Sequence, residues 1–218
     1  MTTRPLDTAA RAPVTGQPPV RLVIFDLGGV LLNIDFDRSF RIWGDAAGID
    51  PQLLRRRYAI DDAYRRHERG QIDAHAYFAA LAERLSITLP YETWLQGWNA
   101  LLLDEVPGIR ARISRARRAG RVCVFSNTNA AHAQVWMGTH AAMLGLFDKV
   151  FTSSDLGLRK PEPEAFAAVL AAMGATAAQA LFFDDTEENI DGARRVGLRA
   201  VRVRCPADID SALDDLGL

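Results

Sequence analysis

Leu22-Val23-Ile24-Phe25-Asp26-Leu27-Gly28-Gly29-Val30-Leu31 decides how this chain folds. Four apolar residues run without interruption and end in a carboxylate. Two glycines follow before the apolar pattern resumes. A continuous apolar run, rather than an alternating one, suits a short strand covered on both faces. An acid at the tip of such a strand is costly to desolvate unless something holds or uses it. The glycines allow a tight turn and let another group come close to the backbone. The stretch therefore reads as a buried strand with Asp26 at its carboxyl end.

Four further segments have the same character: 121–126, 148–152, 180–184 and 199–203. The stretches between them look helical. In 162–174, Phe166, Val169, Leu170 and Met173 fall at i, i+3, i+4 and i+7, and Gly174 is placed to end the helix. In 107–119, Ile109, Ile113 and Ala116 form a similar stripe before Gly120. Strand, helix and strand in alternation predict an α/β protein: a Rossmann-like parallel sheet core flanked by helices. The gap between the first two strands is too long for one crossover. Residues 34–104 have no strand-like run and are expected to form an all-helical insert over the strand ends, with helices over 37–47, 51–58, 60–69, 73–86 and 91–102. Asp73 is a candidate N-cap there, and Tyr77, Phe78, Leu81 and Leu85 make one apolar stripe. The core is then 21–33 with 105–218. Residues 1–20, with Pro5, Pro13, Gly16, Pro18 and Pro19, are expected to be a disordered tail.

The 218 residues are 49% apolar and 24% charged, with a net charge of −1, so no overall field draws the protein to nucleic acid or a membrane. The arginine runs 55–57 and 65–66 read as solvated helix faces. Cys123 and Cys205 do not make a disulfide framework, which suits a reducing cytoplasm. There is no apolar h-region in residues 1–20 and no run long enough for a membrane span. The expected partner is a small molecule, with the protein a cytoplasmic monomer or homodimer.

Three polar clusters join Asp26 at or beyond strand ends: Ser126-Asn127-Thr128-Asn129, Arg159-Lys160-Pro161 and Asp184-Asp185. Parallel sheets bind ligands there. Singly, each has an ordinary use as a turn, a helix start or a helix cap. Together they suggest a phosphate site. Asp26 is the candidate nucleophile, forming an aspartyl-phosphate that water cleaves. Two approaching anions call for Mg²⁺, which takes hard oxygen ligands. Asp26, the Gly28 carbonyl and Asp185 are the candidate ligands, with Asp184 as another ligand or a supporting partner. The Ser126 hydroxyl and the Asn127 backbone are expected to hold the other phosphate oxygens. Lys160 is assigned to offset charge on the nucleophile and the phosphoryl group.

At this point the chain resembles the haloacid dehalogenase-like hydrolases, which are mostly Mg²⁺-dependent phosphatases. Phe25-Asp26-Leu27-Gly28-Gly29-Val30-Leu31 is similar to their first motif, Ser126-Asn127-Thr128 to the second, Lys160-Pro161 to the third, and Phe182-Phe183-Asp184-Asp185 with Asn189 to the fourth. The resemblance spans about residues 21–218 and implies that the helical insert is a cap. Longer strings, among them His67-Glu68-Arg69-Gly70 and Asp155-Leu156-Gly157-Leu158-Arg159-Lys160-Pro161-Glu162, are similar to bacterial alpha-D-glucose-1-phosphate phosphatases and imply a sugar phosphate substrate.

One position departs from the family. Gly28 stands where a second aspartate usually protonates the leaving group. An anomeric hydroxyl needs less of that help, and Asp35 and Asp37 are the nearby candidates to replace it. In the cap, Trp43, His67, Arg69, Trp94, Trp98 and Asn99 are candidates to reach a sugar, although core packing is the commoner use of such residues. His132 and Trp136 have the same two readings. Two other functions fit the scaffold. Metal-free 2-haloacid dehalogenation gives no reason to crowd Asp184 against Asp185. A non-catalytic binding protein is supported by Gly28 alone.

Overall fold

The computed structural model describes residues 18–218. The expected tail falls outside that range except for its last three residues, of which Val20 is buried. The strands are β1 (Leu22–Phe25), β2 (Leu32–Ile34), β3 (Leu102–Glu105), β4 (Arg121–Ser126), β5 (Lys149–Thr152), β6 (Ala180–Asp184) and β7 (Arg199–Arg202). The cap-side helices are α1 (Phe36–Ala47), α2 (Pro51–Arg57), α3 (Asp62–Glu68), α4 (Ala74–Leu85) and α5 (Tyr91–Asn99). The remainder are α6 (Ile109–Ala116), α7 (Ala130–Thr139), α8 (Ala141–Leu144), α9 (Ser153–Leu156), α10 (Pro163–Met173), α11 (Glu187–Arg195) and α12 (Pro206–Asp215).

Five strands form one parallel sheet in the order β5-β4-β1-β6-β7. The central strand shows why its apolar run is continuous. Leu22 and Ile24 face one helical layer, where they pack with Phe166, Val169 and Ile190 of α10 and α11. Val23 and Phe25 face the other, with Ile109 and Ile113 of α6 and Ile209 and Leu213 of α12. All four β1 residues are fully buried. Burying each such side chain contributes about 1.5–3 kcal/mol, so the middle strand is firmly fixed and Asp26 with it. The chain reverses order at β1, with β4 on one side and β6 on the other. That arrangement opens a crevice at the carboxyl ends of the three middle strands.

The helices α1 to α5 bury a separate aromatic cluster that includes Phe40, Trp43, Tyr77, Phe78, Trp94 and Trp98. Trp43 and Trp98 stack with centroids 6.3 Å apart, and the Trp43 indole N–H donates to the Trp94 carbonyl at 3.2 Å. The three cap tryptophans are thus core residues.

The expectation that residues 34–104 hold no strand is corrected at both ends. Leu102–Glu105 pairs antiparallel with Leu32–Ile34, joining the two points where the chain passes between sheet and helices. Asp35 N donates to Leu101 O and Val106 N to Leu31 O, both at 2.9 Å, so the ribbon is closed at both ends. Leu102-Leu103-Asp104-Glu105 has too few apolar residues, and they are too exposed, to reveal a strand locally. Its pairing comes from a segment far off in the sequence. Among the described residues no helix is long and apolar enough to cross a membrane, and Cys123 and Cys205 are unpaired.

Candidate active site

The crevice is a cavity of about 260 Å³ lined from the sheet by Asp26, Gly28, Ser126, Asn127, Lys160 and Asp185. Lys160 is its centre. Its side chain is fully buried, and its ammonium donates to Asp26 Oδ1 at 2.5 Å, Asp184 Oδ2 at 2.7 Å and the Phe125 carbonyl at 2.8 Å. An ammonium has three N–H groups, so all are engaged. Lys160 therefore fixes the carboxylates and the end of β4, and it offsets charge rather than reaching into the cavity with a free donor.

Asn127 positions that lysine. Its side chain donates to the Lys160 carbonyl at 2.9 Å and accepts from the Lys160 backbone N–H at 2.8 Å. The backbone N–H groups of Leu27, Gly28 and Asn127 make no bond to a backbone carbonyl among the described residues. They and the Ser126 hydroxyl are donors at the strand ends that are open to an anion.

The two adjacent acids differ in use. Asp184 is fully buried and saturated: besides Lys160 it accepts from Thr186 N at 2.8 Å and from the Asn189 side-chain amide on both oxygens at 3.1 Å. Asp185 is half-buried and lines the cavity. Its one side-chain partner is the Thr186 hydroxyl at 3.2 Å. Asp26, Asp184 and Asp185 bring one oxygen each within 4.8 Å of one another.

Charge in this cluster is unbalanced. Burial pushes the Asp26 carboxyl up to about 7, with Asp184 and Asp185 adding to the rise and Lys160 opposing it. Burial, then Asp184, pushes Asp185 up as well. Burial alone would lower Lys160, but Asp184 and Asp26 outweigh it and hold the ammonium above its usual value. The Asp26 and Lys160 shifts pull in opposite senses on a single ion pair. The firm direction is that of Lys160, because two carboxylates compete for one cation. Three carboxylates facing one ammonium leave two negative charges uncompensated, which is the charge of a divalent hard cation. The first loop also makes room for the Asp185 side chain. Gly29 has φ +77°, and a Cβ built on it would lie 2.5 Å from Asp185 Oδ2. The Gly28 carbonyl accepts no backbone bond, because the turn is closed by Gly29 N to Leu32 O and Leu32 N to Leu27 O.

Residues 20–197 match the description of the haloacid dehalogenase-like hydrolases. The chain belongs to that family. A phosphatase of Mycobacterium tuberculosis is 28% identical to this hydrolase over 201 residues, covering 84% of this chain and 87% of the relative. The D-ribitol-5-phosphate phosphatase of Bacteroides thetaiotaomicron is 23% identical over 201 residues, covering 87% and 94%. A haloacid dehalogenase-family enzyme of the same organism, crystallised with magnesium and inorganic phosphate, has a TM-score of 0.72 at 24% identity over 86% of this chain and 96% of its own. At that identity the likeness is one of fold.

Other candidates from the sequence are used elsewhere in this hydrolase. Asp35 caps α1 through Asp37 N and pairs with Arg41, and Asp37 pairs with Arg55, so neither acid is free for the cavity. His67 is buried and stacked on Tyr77. Arg69 pairs with Glu162 across the cap–core boundary. Trp136 and His132 do line the cavity wall, both packed. Residue-by-residue reading missed Tyr64 and Glu68 of α3, Arg159 as the partner of Glu68, and an apolar lip of Ile34, Phe36, Ile60 and Leu102. They come from several separate elements, and only the fold brings them together.

Proposed function

We propose that this hydrolase is a Mg²⁺-dependent phosphatase that forms an aspartyl-phosphate on Asp26 and acts on a small sugar phosphate such as alpha-D-glucose 1-phosphate. The observation that carries it is the Asp26 carboxylate at the cavity floor, held by the Lys160 ammonium at 2.5 Å, with one oxygen in that bond and the other without a protein partner. Lys160 fixes the angle of attack. The Ser126 hydroxyl and the free N–H of Asn127 donate to the phosphoryl oxygens that do not leave. Such preorganised donors, more than covalent chemistry, carry phosphoryl transfer. Asp26, Asp185 and the Gly28 carbonyl would hold the cation, with Asp184 orienting Lys160 behind them. When bound, the cation supplies the two positive charges that let a phosphate dianion approach a carboxylate. Water then cleaves the phosphoenzyme and restores Asp26.

The sugar assignment is supported by the longer sequence strings. The phosphatase names of the two sequence relatives support the reaction class. The dehalogenase reading is disfavoured by two acids crowded beside Asp26 with only one lysine to offset them. A panel of phosphomonoesters assayed with Mg²⁺ and with chelator tests the proposal. Release of phosphate with Mg²⁺ alone, abolished in Asp26→Asn, is expected, with glucose 1-phosphate ahead of glucose 6-phosphate. Full activity of Asp26→Asn, or chelator-resistant turnover, refutes the mechanism.

A further inference from the structure

Gly28 leaves the first loop without an acid, yet an alkoxide is a poor leaving group, and the structure offers a carboxyl on the opposite wall. Among the described residues the carboxylates lining the cavity are Asp26, Asp185, Glu188 and Glu68. The first two belong to the nucleophile and cation site. Glu188 is exposed on the first turn of α11. Glu68, at the end of the cap helix α3, is 4% exposed. Two contacts from the core hold it. Its backbone carbonyl lies 2.7 Å from the Ser153 hydroxyl, which also accepts from Thr128 N at 2.8 Å. Its Oε2 accepts from Arg159 Nε at 2.7 Å, and Arg159 precedes Lys160 in the chain. Oε1 is not used in that pair.

Of the other groups on the wall that could carry a proton, His132 is excluded by its bonds and Tyr64 by its burial. His132 Nε2 lies 2.9 Å from the Trp98 carbonyl and Nδ1 3.4 Å from the Asn129 amide, so neither nitrogen is free. The Tyr64 phenol is pushed well above its usual range by burial, so it would not release and regain a proton at neutral pH.

We propose that Glu68 is the proton donor to the leaving oxygen, acting from the cap in place of the acid absent at Gly28. The inference rests on the aspartyl-phosphate reading above. An Asp26 oxygen forms a bond to phosphorus as the bond from phosphorus to the leaving oxygen breaks. The electron pair stays on that oxygen, and the proton of Glu68 Oε1 passes to it, releasing a neutral alcohol. Glu68 is left as a carboxylate beside Arg159. In the second half, water attacks phosphorus and yields its proton to Glu68, the Asp26–phosphorus bond breaks, and both acids return to their starting states. The groups facing Glu68 suit this traffic. Burial raises its carboxyl above the usual range, while Arg159, Tyr64 and Lys160 pull the other way and stabilise the carboxylate once formed. General-acid help of this kind is worth about 10²–10⁴-fold.

The test is kcat/KM for two esters, glucose 6-phosphate or another alkyl phosphate against p-nitrophenyl phosphate, in wild type, Glu68→Gln and Glu68→Asp. The kcat/KM values report the step in which the alcohol leaves. A nitrophenolate departs without a proton. The expected result is a fall of about 10²-fold or more on the alkyl ester in Glu68→Gln, little change on p-nitrophenyl phosphate, and partial recovery of the alkyl ester in Glu68→Asp. An equal fall on both esters, or no fall on either, overturns the proposal, as do Gln and Asp variants that behave alike. Wild type inert toward both esters with Mg²⁺ refutes the phosphatase reading itself, a result distinct from loss of the split.

Discussion

A charged side chain in an apolar setting is legible in a sequence because it is anomalous there. Asp26 behind Leu22-Val23-Ile24-Phe25 stands out, whereas Lys160 between Arg159 and Pro161 does not by itself, and the fold brings the two to 2.5 Å. Histidines give no such signal, since they suit cores and surfaces alike. His132 shows the consequence. It is buried between cap and core, bonded through Nε2 to Trp98 O, and burial lowers its pKa to about 4. The unfolded chain binds a proton near pH 6.5, so above that value both states are neutral and stability is intact. Between about 6.5 and about 4 only the unfolded state is protonated, and stability falls as pH falls. A shift of this size corresponds to about 3 kcal/mol across that window. His67, also lowered by burial, adds in the same sense. The expected outcome is a urea midpoint that drops from pH 7 to pH 4.5 more steeply in wild type than in His132→Gln. Equal slopes would show that His132 is not held neutral by the fold.

Elements with a strong period are legible, and elements made by distant partners are not. The α10 stripe and the cap helix stripe of Tyr77, Phe78, Leu81 and Leu85 were readable because one face of a helix must be apolar. The β2–β3 ribbon was not, since Asn33, Ile34 and Asp104 are exposed and the pairing is non-local. Glycines inside helices are the third case. Gly97 lies within α5 and weakens it by propensity, but a Cβ there would lie 2.1 Å from Trp43 Nε1 and 2.6 Å from its Cδ1. The close contact between α1 and α5 depends on that missing methyl. Trp43 is fully buried and stacked on Trp98, so the ring has nowhere to move. Gly97→Ala is expected to destabilise the protein by about 1–3 kcal/mol, although alanine is the better helix former. A denaturation midpoint at or above wild type would mean that the indole does not sit against α5.

At the scale of the whole molecule, the parallel sheet collects acids from β1 and β6 at one end, and the excess negative charge there is a cost borne by the fold. Sequence order alone placed the four clusters at or just beyond strand ends. It did not reveal that Asp184 is saturated while Asp185 keeps an oxygen for the cavity, because that division depends on Asn189 and Thr186 folding back over the first turn of α11. The imbalance makes a prediction that needs no turnover. A divalent cation that binds the folded state alone stabilises it by about 2.7 kcal/mol at a hundred times its dissociation constant. For a chain of this size that is a rise in Tm of about 5–10 °C. Mg²⁺ is expected to raise the Tm of wild type by this amount, and EDTA to reverse the rise. Asp185→Asn removes one of the uncompensated charges, which burial and Asp184 already disfavour. Without added cation this variant is therefore expected to melt at or above wild type, and with Mg²⁺ to gain little. That crossing of the two proteins, the variant ahead in EDTA and wild type ahead in Mg²⁺, is what a cation bound by Asp185 requires. A variant that gains as much as wild type would place the cation elsewhere. A variant that melts lower in EDTA would show that Asp185 supports the fold by its own contacts, since a carboxylate repelled by its neighbours cannot be missed when its charge is removed.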